Sequence, residues 1–308
     1  MKRTADVLIP VYHPGKELEQ LLSLLEAQDY PVNRIILMNT EEACFPAEIL
    51  KDHPKAEVHH VTRAEFDHGG TRDQGIRMSD ADVVICMTQD AIPADEHMAG
   101  TLLKTFDDPE VWAAYARQLP NEDCREVEKY TRSFNYPEQS MVKTKEDLDR
   151  LGIKTFFCSN VCAAWRREKY LELGGFVKHT IFNEDMILAG TMIKQGGKIA
   201  YCAKAKVIHS HNYSAFQQFH RNFDLAVSQT MYPEVFGGIR SESEGIKLVK
   251  KSLSYCIKIG KPWLMIQVVT QSAGKLLGYK MGQRYRSLPM WLILRCTMSP
   301  SFWRGGKA

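Results

Sequence analysis

A lone acid follows a run of five apolar residues in the first third of the chain. The run is residues 83–87 (VVICM), and Thr88, Gln89 and Asp90 come directly after it. A short continuous apolar run predicts a buried strand. Because ligands in open parallel α/β sheets bind beyond the carboxyl ends of the strands, Asp90 is the first candidate for chemistry. The alternative is that residues 88–90 cap the helix predicted to follow them.

Two histidines follow another strand-like run. Residues 205–208 lead into His209-Ser210-His211. On a strand, His-x-His directs both side chains to one face, which suits a metal ligand, although a single histidine there more often has a structural role. Together with Asp90, either imidazole would form an oxygen and nitrogen site for Mg²⁺ or Mn²⁺ if the fold brings them together.

Two further segments carry polar groups at predicted helix starts. Glu184 and Asp185 open a helix that apolar residues continue, and acids in a first turn usually interact with the helix dipole, so that interpretation stays open. The loop at residues 66–75 (FDHGGTRDQG) places two glycines beside Arg72, where free backbone amides favour an anion. The alternative for the loop is a tight turn with Arg72 on the surface.

The elements that must position these residues alternate between strands and helices. The apolar runs predict strands at residues 5–12, 34–38, 57–61, 83–87 and 111–118. Leucines at helical spacing follow the first strand. This alternation predicts an α/β fold with a mostly parallel, Rossmann-like central sheet flanked by helices.

Charge divides the chain into two regions. Residues 246–308 contain 12 of the 40 lysines and arginines and none of the 37 acids, so the first 245 residues carry 28 basic and 37 acidic groups, a net of −9. The division predicts a catalytic domain at residues 1–240 and a basic, apolar C-terminal helical region at residues 241–308. The eight cysteines form no CxxC pair and are expected to be free thiols in a reducing cytosol. No signal peptide is expected, and no segment reaches the ~18 apolar residues of a spanning helix.

The C-terminal region has two competing interpretations. Basic amphipathic helices bind the interface of anionic membranes, which would place the protein on a membrane surface through residues 246–308. The alternative is a basic helical pair packed on the acidic domain. Nucleic-acid binding is not expected, because the basic residues are dispersed among aliphatic ones and no recognition motif is present.

Five motifs in order resemble the inverting glycosyltransferase family 2, which has the GT-A fold, and most closely its bacterial rhamnosyltransferase branch. The resemblance covers roughly residues 5–215 and is carried by IPVYHPG, FDHGGTRDQG, TQDAIP, FFCSNVCAAWRRE and NEDM. It implies that Asp185 is the catalytic base and that Asp90 and His209 hold the divalent ion, with His211 in reserve. It also implies a sugar and acceptor side formed by Asn160, Trp165 and Glu184, and a donor side formed by Pro10, Val11, Tyr12, Asn39, Asp67, His68, Arg72, Thr88, Gln89 and Asp90.

Two departures from the family pattern bear on the donor. Asn39 stands where the family usually has an aspartate that contacts the nucleotide base, and Thr88 replaces the first aspartate of its Asp-x-Asp motif. The single remaining carboxylate resembles enzymes that use dTDP-rhamnose more than those that use UDP-sugars.

The resemblance therefore implies transfer of L-rhamnose from dTDP-β-L-rhamnose to a lipid-linked or growing polysaccharide. The expected location is cytoplasmic, on the inner face of the cell membrane. A family 2 enzyme with another donor, UDP-galactofuranose or UDP-glucose, and a non-catalytic sugar-nucleotide binder are the alternatives. A homo-oligomer is left open.

Overall fold

A computed structural model describes residues 3–239 and 242–304. The chain divides into two compact units. The sheet unit comprises Met1–Asn121, Tyr136–Lys178 and Glu184–His209, and the helical unit comprises Glu122–Asn135, His179–Asn183 and Ser210–Ala308. All eight cysteines are free, as the sequence predicts.

The sheet unit is built on one nine-stranded sheet. Its strands are β1 Ala5–Tyr12, β2 Ile35–Thr40, β3 Ala56–Val61, β4 Val83–Met87, β5 Ile92–Pro93, β6 Val111–Leu119, β7 Met141–Lys143, β8 Cys162–Arg166 and β9 Lys198–Ile208. They lie in the order β3-β2-β1-β4-β8-β6-β9-β5, and β7 also pairs with β9. The described helices are α1 Lys16–Glu26, α2 His68–Met78, α3 Met98–Leu103, α4 Glu126–Asn135, α5 Leu148–Leu151, α6 Arg167–Glu172, α7 Glu184–Lys194, α8 Ala215–Met231, α9 Pro233–Phe236, α10 Glu242–Lys258, α11 Leu264–Gln283, α12 Met290–Cys296 and α13 Pro300–Arg304.

The predicted fold class is confirmed, and the sheet is mixed. The strands β3, β2, β1 and β4 are parallel, as the alternation of strands and helices predicts. Strand β8 runs antiparallel to both β4 and β6. Because Cys162 pairs with Met87, the residues that precede β8 lie at the carboxyl end of β4. The reversal therefore adds residues 158–161 to the edge of the sheet where Thr88, Gln89 and Asp90 emerge.

The core of the sheet unit lies between this sheet and its helices. Strands β1, β2 and β4 are almost entirely buried, and Leu18, Leu21, Leu22 and Leu25 of α1 are fully buried against them. Burying a leucine side chain contributes about 1.5–3 kcal/mol. The predicted helical spacing of these leucines is thus the pattern that fixes α1 on the sheet.

The helical unit is organised around the pairing of α8 with α11. A Cβ atom at Gly274, Gly278 or Gly282 would lie 2.4, 2.1 or 2.3 Å from the carbonyl oxygen of Ala215, Phe219 or Phe223, respectively. The contacts advance by four residues on both helices, so the two helices run in the same direction at close range. Only glycine permits this approach, as in other small-residue helix interfaces.

The C-terminal region is helical, as the sequence predicts. Among residues 3–239 and 242–304, no helix has the length and apolar character needed to cross a membrane.

Candidate active site

The two acids at the start of α7 differ in their surroundings: one carboxylate is buried in an ion pair, and the other is partly exposed. Glu184 is buried, and its Oε1 lies 3.1 Å from Nη1 of Arg72. Burial acts to raise the pKa of Glu184, but the Arg72 guanidinium, His68 and the Asn160 amide outweigh it, so the pKa is lowered. Glu184 therefore remains an anion at neutral pH.

Asp185 differs from its neighbour because it remains partly exposed and forms no ion pair with a basic side chain in the described structure. Burial and then the charge of Glu184 raise its pKa from 3.8 to about 7, against the opposing effect of two backbone amides. These amides belong to Asn160, 3.0 Å from Oδ2, and Met186, 2.7 Å from Oδ1. Two adjacent carboxylates with divergent pKa values are a typical arrangement for acid–base chemistry.

Asn160 holds the acid pair in place. Its backbone N–H donates to Asp185, its Nδ2 donates to Glu184 at 3.2 Å, and its Oδ1 accepts from Nε1 of Trp165 at 3.0 Å. Trp165 is completely buried within the sheet. The indole therefore supports Asn160 from inside the core and has no surface for a substrate in this conformation.

Arg72 reaches the acid pair from α2. This helix begins at His68, and the side chain of Asp67 caps it by accepting the N–H of Gly70 at 2.6 Å. Arg72 is buried, so the alternative of a surface arginine is wrong. Its Nη1 also donates to the carbonyl of His68, while its Nε is buried without a partner in the described structure.

Asp90 and His209 meet at the same edge of the sheet. Asp90 is exposed, and its Oδ2 lies 3.4 Å from Nε2 of His209, which is buried at the end of β9. On its other side, Nδ1 of His209 lies 3.1 Å from Oε1 of Gln118. The orientation of Gln118 is consistent, because its Nε2 donates to Oγ of Ser159 at 3.2 Å. With Oε1 of Gln118 as the acceptor, Nδ1 is the donor in this contact, and Nε2 faces Asp90.

This arrangement fits a divalent cation. A metal-binding histidine commonly donates its second N–H to an oxygen that fixes its tautomer, which is the role of Gln118 here. One carboxylate oxygen and one imidazole nitrogen suit Mg²⁺ or Mn²⁺. His211 belongs to the helical unit.

Four further predicted donor residues, Tyr12, Asn39, Thr88 and Gln89, lie at or just beyond the ends of β1, β2 and β4. Gln89 bridges to the backbone of Tyr12, accepting its N–H at 2.8 Å and donating to its carbonyl at 3.1 Å. Asn39 is fully buried, and its Oδ1 has no partner in the described structure. The same is true of Oγ1 of Thr88. Pro10 and Val11 lie within β1, where Val11 is buried.

Three residues outside the predicted set connect these groups. Gln118 orients His209, and Ser159, next to Asn160, holds Gln118. Lys143 is completely buried and donates to the carbonyls of Lys154 and Phe157. It therefore anchors the chain just before residues 158–161, the loop that contains Ser159 and Asn160. Gln118 carried a usable signal, because it is the last polar residue of a predicted strand at the same sheet edge as Asp90. Ser159 and Lys143 carried none.

Comparison with known proteins agrees with this architecture. The model of the family "Glycosyl transferase family 2" matches residues 6–174. The O-antigen chain rhamnosyltransferase RfbN of Salmonella typhimurium is 37% identical over 301 residues, which is 96% of this chain and 95% of that protein. The O-antigen chain rhamnosyltransferase WbaN of Salmonella anatum is 35% identical over 302 residues, with the same coverage.

Two solved structures share the fold at low sequence identity. The mannosyltransferase PcManGT of Pyrobaculum calidifontis, in complex with GDP-Man and Mn²⁺, has a TM-score of 0.59 at 14% identity and covers 98% of this chain and 88% of its own. TarS 1-349 of S. aureus, in complex with UDP-GlcNAc, has a TM-score of 0.52 at 13% identity and covers 92% of each chain. The chain is a glycosyltransferase with the GT-A fold and belongs to glycosyltransferase family 2.

Proposed function

We propose that this enzyme transfers L-rhamnose from dTDP-β-L-rhamnose to a hydroxyl of a lipid-linked or growing cell-surface polysaccharide, with inversion at the anomeric carbon. Two rhamnosyltransferases of O-antigen chains match nearly the whole chain. The observation that carries the proposal is the partly exposed Asp185 carboxylate, which two amides orient and whose pKa is about 7.

In the proposed mechanism, Asp185 removes the proton from the acceptor hydroxyl as that oxygen attacks the sugar. A general base is most effective when its pKa lies near the working pH. A carboxylate with its ordinary pKa of 3.8 would be ionised but a weak base, whereas a pKa of about 7 combines ionisation with basicity. Glu184, kept anionic by Arg72, orients the sugar hydroxyls. Asn160 donates a hydrogen bond to each acid and so fixes the position of both carboxylates.

The buried end of β2 supports a pyrimidine nucleotide. Nδ2 of Asn39 donates to the carbonyl of Glu41 at 3.2 Å, and a carbonyl can only accept, so the orientation of the amide is determined. Oδ1 of Asn39 is therefore the acceptor left without a partner, and it would suit the N3–H of thymine once donor binding uncovers it. Uracil carries the same N–H, so the preference for dTDP rests on Thr88, which leaves Asp90 as the carboxylate beside the diphosphate.

Asp90 and His209 would hold Mg²⁺ or Mn²⁺ at this edge. When bound, such an ion neutralises charge on the departing diphosphate as a Lewis acid. The chain's own contribution is the orientation of His209 by Gln118, which directs Nε2 toward Asp90.

The proposal assigns catalysis to residues 1–240 and attachment to the cytoplasmic face of the membrane to residues 241–308. Four apolar side chains of helix α11 and that of Trp263, which precedes it, are each more than half exposed; the four are Ile266, Val269, Leu276 and Leu277. A surface helix of a water-soluble protein is normally polar on its outer face. The exposed apolar side chains lie within residues 246–308, which contain lysines and arginines but no acids, and this combination suits an anionic lipid surface.

The donor assignment is tested by incubating the full chain and Mn²⁺ with dTDP-rhamnose, UDP-galactofuranose or UDP-glucose and measuring release of the nucleoside diphosphate. We expect release from dTDP-rhamnose only, and NMR of the transferred sugar should show the α-anomer. If the nucleoside diphosphate is released preferentially from a UDP-sugar, that UDP-sugar is the donor and the dTDP-rhamnose assignment is wrong. If the protein binds the sugar nucleotides but releases no nucleoside diphosphate, it is a non-catalytic sugar-nucleotide binder.

The membrane assignment is tested by flotation of the full chain with anionic liposomes. Deleting the C-terminal region would remove α11 and uncover the face of α8 that its glycines contact. Point variants are therefore preferable, because they keep this helix pair intact. The double variant Ile266→Ser with Leu277→Ser should lose most binding, while Gln267→Ser on the same helix should bind normally. Equal binding of all three proteins would show that this face is not the attachment surface.

A further inference from the structure

A second group of metal-type ligands lies outside the Asp90 and His209 pair. His13 follows β1, Glu41 follows β2, and Cys44 ends the 3₁₀ turn Glu42–Cys44. One ligand atom from each lies within 4.8 Å of the other two. Nε2 of His13 and Oε2 of Glu41 lie 4.0 Å apart.

The sheet register explains why these residues meet. Strands β1 and β2 are parallel neighbours, and Tyr12 pairs with Thr40 at their carboxyl ends. The next residue of each strand, His13 and Glu41, therefore emerges at the same level. The backbone N–H of Cys44 then donates to the carbonyl of Glu41 at 3.0 Å, which turns the chain back and returns the thiol to the group.

The donor set selects a different ion from that of the catalytic edge. An imidazole nitrogen, a carboxylate oxygen and a thiolate sulfur are the ligands that Zn²⁺ takes in proteins, whereas Mg²⁺ does not favour sulfur. Bonds of about 2.0–2.3 Å to Zn²⁺ place neighbouring ligand atoms roughly 3–4 Å apart in a tetrahedron. The distances between the three ligand atoms must therefore shorten by about 1 Å when the ion binds. The His13 side chain is 56% exposed and that of Glu41 is 35% exposed, so both have room to rotate.

We propose that His13, Glu41 and Cys44 form a zinc site that ties the loop after β1 to the loop after β2. Three protein ligands leave the fourth position of the tetrahedron to water. The carbonyl of Glu41 accepts from Nδ2 of Asn39, so the site also fixes the loop that orients this buried amide.

The test uses the full chain and Co²⁺ as a spectroscopic substitute for Zn²⁺. A thiolate bound to Co²⁺ produces a charge-transfer absorption in the near ultraviolet that oxygen and nitrogen ligands do not produce. We expect this band in the wild-type protein and in Asp90→Asn, and we expect Zn²⁺ to displace it. Because the readout is spectroscopic, it does not depend on which sugar nucleotide the enzyme uses.

Variants assign the band to this group. Cys44→Ser should abolish it, and His13→Gln should weaken Co²⁺ binding by about tenfold or more. Glu42→Gln, the neighbouring acid outside the group, should bind as the wild type does. Absence of the band from the wild-type protein, or its persistence in Cys44→Ser, would overturn the proposal. Unchanged affinity in His13→Gln would also contradict it.

Discussion

Replacement of Glu184 with glutamine tests whether the charge of Glu184 raises the pKa of Asp185. In the structure, burial first and the Glu184 charge second raise the pKa of Asp185. Glutamine keeps the shape and still accepts from Nδ2 of Asn160, but it removes the negative charge. It also releases the Arg72 guanidinium, which lies 3.1 Å from Glu184 and favours ionised Asp185. Both changes lower the pKa of Asp185.

The size of the effect follows from the pKa of Asp185. The rise from 3.8 to about 7 is the net result of burial and the Glu184 charge, which raise the pKa, and of two backbone amides and Arg72, which lower it. Because burial is the larger cause, we assign less than half of this rise to Glu184. The variant should therefore lower the pKa of Asp185 by about one, which is on the order of 1 kcal/mol.

The assay is the pH dependence of kcat/KM, which reports ionisation of the free enzyme. Activity requires the ionised carboxylate, so it should fall as the pH drops through about 7 in the wild-type enzyme. In Glu184→Gln this acid limb should move to a pH lower by about one, together with a loss of absolute rate from the missing sugar contact. Glu168→Gln, at an exposed position on α6, serves as the control. An acid limb that stays in place or moves to higher pH would refute this reasoning.

Three other predictions concern the residues that support the site and the fold. Lys143→Met should lower kcat and move the acid limb to higher pH, because the loop that holds Asn160 against the base loses its buried anchor; unchanged pH profiles would contradict this. Gln118→Leu should weaken Mn²⁺ binding about 10–100-fold in calorimetry, and unaltered affinity would remove it from the metal site. Gly278→Ala should cost about 1–3 kcal/mol in urea unfolding, since its Cβ would lie 2.1 Å from a backbone oxygen of α8. The control, Gly245→Ala in α10, meets no atom within 4 Å and should be neutral or stabilising.

Sequence reasoning located the functional edge of the sheet because that edge follows from local patterns. An apolar run marks a buried strand, and the polar residue that ends it must lie at the strand end. Asp90 was found in this way, and Asn39 through the family resemblance; the structure places them at the ends of β2 and β4. Asp185 was found because an acid at a helix start is a local signal as well.

The direction of β8 could not be read from the sequence, because an apolar run is equally compatible with a parallel or an antiparallel neighbour. This direction brings Asn160 to the acid pair. The burial of Trp165 was hidden for the same reason, since it depends on the strands on both sides of β8. The Gln118 contact joins residues 91 positions apart, and no local pattern records such a pairing.

The central claim is that Asp185 is the base in an inverting rhamnosyl transfer. The most direct measurement compares the rate of transfer from dTDP-rhamnose by the wild-type enzyme, Asp185→Asn and the exposed control Asp149→Asn, with donor affinity measured in parallel. Loss of a general base should reduce turnover by about 10²–10⁴-fold in Asp185→Asn and leave donor affinity nearly unchanged. The control should behave as the wild type does. Near-normal turnover by Asp185→Asn would contradict the assignment of the base and the mechanism built on it.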